Sequence, residues 1–461
     1  MYDIQNRWKL QGNRLQYYGM RNATHLFDNT VRLSRRQQAI VKTLPRALGD
    51  EDLRVLGKLI GVQIVKIEDK KSTPTSLDEA RFCKTCVAND FIIPGIEFDD
   101  AGRCPMCQTA EQTRHLKSVV PIKNTFFRSK KSRFDVAVFY TGGKDSTYLL
   151  YYLSKVLHLR VLALTWEIPY LSDNSRQSIE RAKKHLDTVE FITRKVANDD
   201  LRKMYRKLYA LSGNTCACPS LAYVLFYPEL VANKVPYFVA GNEPAQMLGL
   251  YYNHMAPPIA YTFADHKWLG VLLGIGRMLT LRPPLKRGQF HTLATMKQLA
   301  YGDSAIKNMA GYSNELVSNV CESIREIPHL TRPLKKAIRV SSWTGNIPAF
   351  VQVDFDAVCG GVYEWSKIKD TIIRECGWVA PKQNEKGLHT SCEIETCKEH
   401  SQFVRFYRME STMIPFSAIE ISLASRNKHL TREQALAELR GALGFSLDAP
   451  CACALIKEYM E

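Results

Sequence analysis

The stretch VAVFYTGGKDST, Val136 to Thr147, constrains this chain more than any other. Val136 to Tyr140 is an unbroken apolar and aromatic run, which predicts a strand buried on both faces, as in a parallel sheet. Thr141-Gly142-Gly143-Lys144-Asp145-Ser146-Thr147 then turns the chain, and YLLYYLSKVLH has the apolar density of a helix packed on that sheet. Adjacent glycines let the backbone pass close to a bound group, and free N–H groups at the following helix start attract an anion. Ser146 and Thr147 add hydroxyls and Lys144 a positive charge. Two glycines alone would mean only a strand-to-helix turn; Lys144, Asp145 and Ser146 beside them point to phosphate.

The usual P-loop has a longer gap between its first glycine and its Gly-Lys pair, and the dinucleotide fingerprint has another spacing again. The stretch resembles the SGGxDS pyrophosphate loop of the PP-loop ATP pyrophosphatases, with Thr141 in the leading serine position. That resemblance implies an α/β PP-loop parallel sheet and an enzyme that cleaves ATP between its α and β phosphates to adenylate a substrate. It implies ATP contacts from Tyr140, Thr141, Gly142, Gly143, Ser146 and Thr147. Lys144, Ser146 and the loop N–H groups would stabilise the departing pyrophosphate, and Asp145 would help hold Mg2+.

A second motif lies at residues 83 to 107. Cys83 and Cys86 form one C-x2-C pair, and Cys104 and Cys107 another. Each knuckle can present two thiolates to one tetrahedral ion, so four sulfurs suit structural Zn2+ and leave no open catalytic position. A redox iron site is the alternative. The intervening IPGIEFDDAGRCPMC predicts a short strand and a tight turn through Asp100, Ala101 and Gly102. RFCKTCVANDFIIPGIEFDDAGRCPMC also resembles the N-terminal segment of the N-acetyl sugar amidotransferases, a PP-loop branch of surface-polysaccharide biosynthesis. In that branch ATP activates a carboxamide, and ammonia from a separate glutaminase converts it to an amidine. Gly377-Trp378 with Pro381 resembles a step in the same family's C-terminal substrate region, and the likeness runs over roughly residues 83 to 440.

Other residues gather around this frame. Val161 to Glu167 predicts a second strand ending beside the first, where open α/β sheets bind ligands, with Thr165 and Trp166 near the adenine. The next helix begins near Ser172, capped by Asn174 or Ser175. VEFITRKV predicts a third strand, and NDDLRKMYRKLYALSG an exposed basic helix. Val235 to Ala240 predicts another buried strand. The resemblance puts Gly241 and Asn242 near the ATP, and Glu243 holds Mg2+, orients the nucleophile or serves as a helix N-terminal carboxylate.

Cys216 and Cys218 precede the helix before that strand. Thiolating PP-loop enzymes of transfer RNA carry a C-x2-C there and a third cysteine later, and the three hold an iron–sulfur cluster. Here the pair is C-x-C. A [4Fe-4S] cluster would draw on Cys216, Cys218 and Cys321, with Cys451 and Cys453 behind them; buried small hydrophobes are the alternative for such cysteines. Cys359, Cys376, Cys392 and Cys397 would make a second metal site, at irregular spacing. His254 and His266 are acid–base or structural candidates. Arg282, Lys286 and Arg287 form an anionic-substrate patch or a solvated face. SAIEISLASRNKHLTREQALAELR predicts an amphipathic helical ending, with Thr431 and Glu433 at a helix start.

The 461 residues divide as an N-terminal extension over 1–78, a zinc-knuckle segment over 79–120, a PP-loop ATP pyrophosphatase domain over 121–275 and a mainly helical substrate region over 276–461. The first holds short helices and one strand and no chemistry. The formal charge of +17 permits nucleic acid or anionic sugars as partners, but no RNA-binding module accompanies it. No apolar run reaches the ~18 residues of a membrane span, and a cytoplasmic enzyme is the default. In a reducing compartment the thirteen cysteines read in part as metal ligands. Adenylation of a substrate oxygen followed by ammonia transfer is the first expectation, with a glutaminase as partner. Thiolation from a sulfur donor is the second, and a basic nucleic-acid-binding scaffold the third.

Overall fold

The computed structural model describes residues 1–113, 132–213, 217–241, 244–254, 267–286, 288–302, 315–382, 387–441 and 443–448. Ten strands lie among them. Tyr2–Ile4 (β1), Trp8–Gln11 (β2), Arg14–Tyr17 (β3), Thr30–Arg32 (β4) and Ile64–Lys66 (β5) belong to the N-terminal part. Val136–Phe139 (β6), Val161–Trp166 (β7), Val189–Arg194 (β8), Tyr237–Ala240 (β9) and Ala349–Phe350 (β10) build the central sheet.

That sheet is parallel throughout, in the order β10-β9-β6-β7-β8. Every residue of β6 and β7 is buried, as the unbroken apolar runs require of strands covered on both faces. Chain order reverses between β6 and β9, which makes the cleft above their carboxyl ends the topological switch point where such sheets bind ligands. The expected α/β parallel sheet is therefore present, with the glycine loop and Gly241 both at that switch point.

Helices cover both faces. Phe139 at the end of β6 meets the rings of Tyr223 and Phe226 on the helix Cys218–Ala232. The described residues between 267 and 441 are largely helical, as expected. The helix Asn198–Ser212 is half sunk rather than exposed: Leu201, Met204, Tyr205 and Leu208 recur at helical spacing and are buried beneath its basic face. It ends on left-handed Gly213.

The N-terminal part holds more strand than expected. β2, β3 and β4 form an antiparallel meander and β1 pairs with β5, while Arg35–Val41 and Asp50–Leu56 are the expected short helices. These strands are three or four residues long, too short for a period-two pattern to stand out. Their side chains close a small second core around Trp8, Leu15, Leu33, Leu56 and Ile64. Arg7 ties this part to the far end of the chain, donating to the carbonyls of Tyr18, Tyr407 and Phe406 at 2.6, 2.6 and 2.8 Å.

One helix start differs from expectation. Ser172, not Asn174 or Ser175, is the N-cap of Asp173–His185, and it makes no side-chain capping bond because its hydroxyl donates to the Thr390 carbonyl at 3.4 Å; Asn174 donates to the same carbonyl at 3.1 Å. Thr431 and Glu433 do stand at the start of Arg432–Gly441, and Thr431 forms a capping box with Gln434: the Gln434 amide donates to Thr431 Oγ1 at 3.2 Å and the Thr431 amide to Gln434 Oε1 at 2.8 Å. Phe416–Arg426 is buried almost all round instead of amphipathic, since it runs between other helices.

Candidate functional site

The loop after β6 turns as its glycines suggest. Gly142 has φ +73°, and a Cβ there would lie 2.5 Å from the carbonyl oxygen of Ser175. A Cβ on Gly241, at the end of β9, would lie 2.7 Å from the Ser146 amide nitrogen. Only glycine lets these segments approach so closely. Helix Lys144–Tyr151 starts here, with Gly143 as its N-cap. Ser146 Oγ donates to the Gly143 carbonyl at 3.2 Å and lies 3.3 Å from Thr141 Oγ1. Thr147 Oγ1 also donates to Gly143, at 2.8 Å, so it secures the turn rather than facing the cleft. Tyr140 points its ring into the core, with its hydroxyl 3.4 Å from the Ser178 carbonyl, leaving its backbone as the part nearest a ligand.

Lys144 is buried, and its ammonium pairs with Asp145 Oδ1. It lies 3.4 Å from the Tyr363 hydroxyl and over the rings of Tyr363 and Trp365, 4.7 and 4.5 Å from their centroids. Such a cage stabilises a desolvated cation by charge pairing and by the negative ring faces. Tyr363 donates to Asp145 Oδ1 at 2.7 Å. Asp356 fixes Tyr363 in turn, accepting from its amide and lying against His429 Nε2, both at 2.9 Å. Lys369 lies close enough to be influenced by the charges of Lys144 and Asp145; burial, then Lys144, lower its pKa.

The C-terminal region forms a wall over the loop. Trp378 donates its indole N–H to the Gly142 carbonyl at 3.0 Å. Thr390 Oγ1 accepts from the Lys144 amide at 3.0 Å, capping a donor that a phosphate would otherwise claim. Glu438 holds this wall by accepting from the amides of Gly387 and Leu388. Sequence reasoning missed Tyr363, Trp365, Lys369 and Thr390; Trp378 entered only through its Gly-Trp-x-x-Pro step. The aromatic pair Tyr363 and Trp365 at a helix start was the signal available.

Thr165 and Trp166 end β7 beside the loop strand. Both are buried, and Thr165 Oγ1 and Trp166 Nε1 have no hydrogen-bond partner. Arg282 stacks on Trp343 at 5.2 Å, and Lys286 is exposed. His254 faces Asn29 Nδ2 at 2.7 Å, joining a helix end to the N-terminal part. Cys216, Asn242, Glu243, His266, Arg287, Cys451 and Cys453 lie outside the described residues.

The four cysteines of the second motif converge. Their sulfurs all lie within 4.8 Å of one another, with Cys83–Cys107 at 3.9 Å and Cys86–Cys104 at 3.6 Å. A tetrahedral ion with ~2.3 Å metal–sulfur bonds sets its ligands ~3.8 Å apart, so one ion fits. A four-iron cube would splay them farther. Backbone amides of Thr85, Ala88 and Cys104 donate to the sulfurs at 3.4, 3.5 and 3.3 Å, as metal knuckles do. Cys104 and the other two thiols hydrogen-bond to Cys83 and hold its pKa far below the ordinary thiol range. The expected tight turn is present, with the Gly102 amide donating to the Asp99 carbonyl at 2.8 Å. The expected strand is not, because Pro94 and left-handed Gly95, at φ +78°, turn the backbone there, with the Ile96 amide donating to the Ile93 carbonyl at 3.0 Å. Arg432 anchors both knuckle carbonyls, at Cys83 and Cys86.

The remaining cysteines do not form a second thiolate site among the described residues. Cys359 lies 3.2 Å from the Tyr148 hydroxyl, Cys376 is sealed in the core with its thiol pushed up to about 12 by burial, and Cys392 bridges to Leu171. Cys321 is buried in the helix Glu315–Ile324, which packs on Asn198–Ser212. Among the described residues no helix is long and apolar enough to cross a membrane.

No family model and no curated protein matches this chain. Among solved structures it is similar to the U34-tRNA thiolase NcsA from Methanococcus maripaludis with its [4Fe-4S] cluster, at 16% identity over 58% of this chain and 86% of that one, with a TM-score of 0.22. So low a score leaves the description of the site to its own geometry.

Proposed function

We propose that this chain is a PP-loop-type enzyme that adenylates an oxygen of its substrate with ATP and then passes the activated carbon to a nucleophile. The observation that carries this is the Lys144–Asp145–Tyr363 group beneath a two-glycine loop at the sheet's switch point. The substrate oxygen attacks the α-phosphorus, and the bond to the departing pyrophosphate breaks. The nucleophile then displaces AMP from carbon. Loop amides and Ser146 would face the phosphates, with Lys144 supplying charge from below. Asp145 Oδ1 is already engaged, so its other oxygen would meet Mg2+. Thr165, Trp166 and Gly241 would border the adenine and its ribose, with Asn242 and Glu243 next along the chain.

Sulfur is the nucleophile we favour, because of Cys218. It opens the helix Cys218–Ala232, whose second turn meets Phe139 at the carboxyl end of β6. A crossover helix runs antiparallel to its strands, so its amino end lies at the loop edge of the sheet. Cys218 precedes Tyr223 by about 7.5 Å of helix rise, which supports a thiol near the adenylated carbon. Cys216 would be its neighbour and Cys321 a further ligand. Ammonia transfer to an acidic sugar is the second reading, supported by the cysteine knuckle and the Trp378 contact in the segments that resemble the sugar amidotransferases. It would need a glutaminase partner. Zinc is the ion we assign to the four-cysteine site, where four sulfurs close the coordination sphere and leave only a folding role.

The deciding measurement is the ATP product in the presence of candidate acceptors. AMP and pyrophosphate are expected, and ADP with phosphate would overturn the adenylation reading. Anaerobic purification then separates the nucleophiles. A brown protein with broad absorbance near ~400 nm, lost in Cys218→Ala, supports sulfur. A colourless, zinc-only protein that incorporates labelled ammonia nitrogen supports the second reading.

A further inference from the structure

His389, Glu395, Glu399 and Glu420 converge on one interior point. His389 immediately precedes Thr390 and has φ +48°, a backbone state that a non-glycine residue enters only under constraint. Glu395 and Glu399 stand one turn apart on the helix Glu395–Tyr407, and Glu420 comes from the buried helix Phe416–Arg426. One ligand atom each from His389, Glu395 and Glu399 lies within 4.8 Å of the others, and Glu420 Oε2 is 2.9 Å from His389 Nε2.

The three glutamates are at least 97% removed from solvent, with exposures of 3%, 0% and 3%. Yet His389 Nε2, Glu395 Oε1, Glu399 Oε1 and Glu420 Oε2 make no hydrogen bond of acceptable geometry. Burying carboxylates in that state is costly. Lys398 offsets part of the charge, with its Nζ 2.5 Å from Glu395 and 3.5 Å from Glu399. His389 lies 2.9 Å from Glu420 and 3.6 Å from Glu395; once it turns neutral to act as a ligand, three carboxylates against one ammonium leave two negative charges, which a single divalent cation cancels.

We propose that His389, Glu395, Glu399 and Glu420 form a site for one divalent cation, distinct from the four-cysteine site and from any magnesium carried by ATP. One imidazole nitrogen with carboxylate oxygens suits manganese, iron or zinc, and lacks the thiolates that would make it selective for soft ions. Such an ion would fix the segment that brings Thr390 to the Lys144 amide. It thus acts on the loop through position, not by touching the reacting atoms. This inference stands whichever nucleophile the enzyme uses.

The test is Mn2+ binding, without nucleotide, to protein whose zinc content has been brought to one per chain, followed by calorimetry and electron paramagnetic resonance. One bound Mn2+ per chain is expected, with nitrogen coupling from a single imidazole. Glu399→Gln and His389→Ala should weaken binding about tenfold or more, and Asp145→Asn should leave it unchanged. Absence of binding, or full affinity in folded Glu399→Gln and His389→Ala proteins, would overturn the site. If those variants do not fold, the wild-type spectrum decides: bound Mn2+ without nitrogen coupling rules His389 out.

Discussion

The Tyr363 hydroxyl donates a 2.7 Å hydrogen bond to Asp145 Oδ1 across 218 residues of chain. The same phenol lies 3.4 Å from Lys144 Nζ. Tyr363 therefore orients both charged residues of the loop, and its own position is set by Asp356 and by stacking on Phe355, 4.6 Å between centroids.

Tyr363→Phe keeps the ring and removes the donor. A hydrogen bond to a charged group is worth about 1.5–3 kcal/mol. With Asp145 proposed as the carboxylate that meets Mg2+, affinity for Mg·ATP should fall about ten- to a hundredfold, while affinity for metal-free ATP should change little. Calorimetric titration with and without Mg2+ checks this; an equal loss in both would show that Tyr363 acts on the fold and not on Asp145.

Gly142→Ala should disrupt the loop twice over. Alanine resists φ +73°, and its Cβ would press on the Ser175 carbonyl. A stability loss of about 2 kcal/mol or more is expected by urea denaturation, with ATP binding abolished. Gly12→Ala, also at positive φ but with open space around its Cβ, should cost only about 1 kcal/mol and leave ATP binding intact.

Removing the metal from the four-cysteine site should unfold its surroundings, because Cys83, Cys86 and Cys104 belong to the main core. Elemental analysis should give zinc in the wild type and markedly less in the Cys83→Ser, Cys107→Ser double variant, with a lower melting temperature. Equal zinc in both proteins would refute the assignment.

Arg7 should be a stability residue. Its guanidinium is buried against three carbonyls and lies 5.2 Å from the Phe406 ring centroid. Burial lowers its pKa to about 10, so the charge persists at neutral pH. Arg7→Met should cost about 3 kcal/mol and raise the rate of proteolysis within residues 1–66 above that within the parallel sheet. Limited proteolysis with mass spectrometry reads this directly.

Local chemistry determined what the sequence alone could tell. VAVFY and VLALTW are apolar without interruption, so their burial between two helical layers followed from residue type. Gly142 and the two C-x2-C knuckles carry their geometry within a few residues, so the turn and the four-sulfur site were legible at once. Only the tertiary structure decided the surroundings of the loop. Tyr363, Trp378 and Thr390 reach it from over two hundred residues away, through contacts that leave no periodicity in the chain. The same holds for Asn174, which looked like a helix cap and instead grips Thr390, and for His389 and three glutamates, which no motif or spacing groups. Spacing encodes helices, strands and knuckles, but the meeting of distant side chains depends on how whole layers pack.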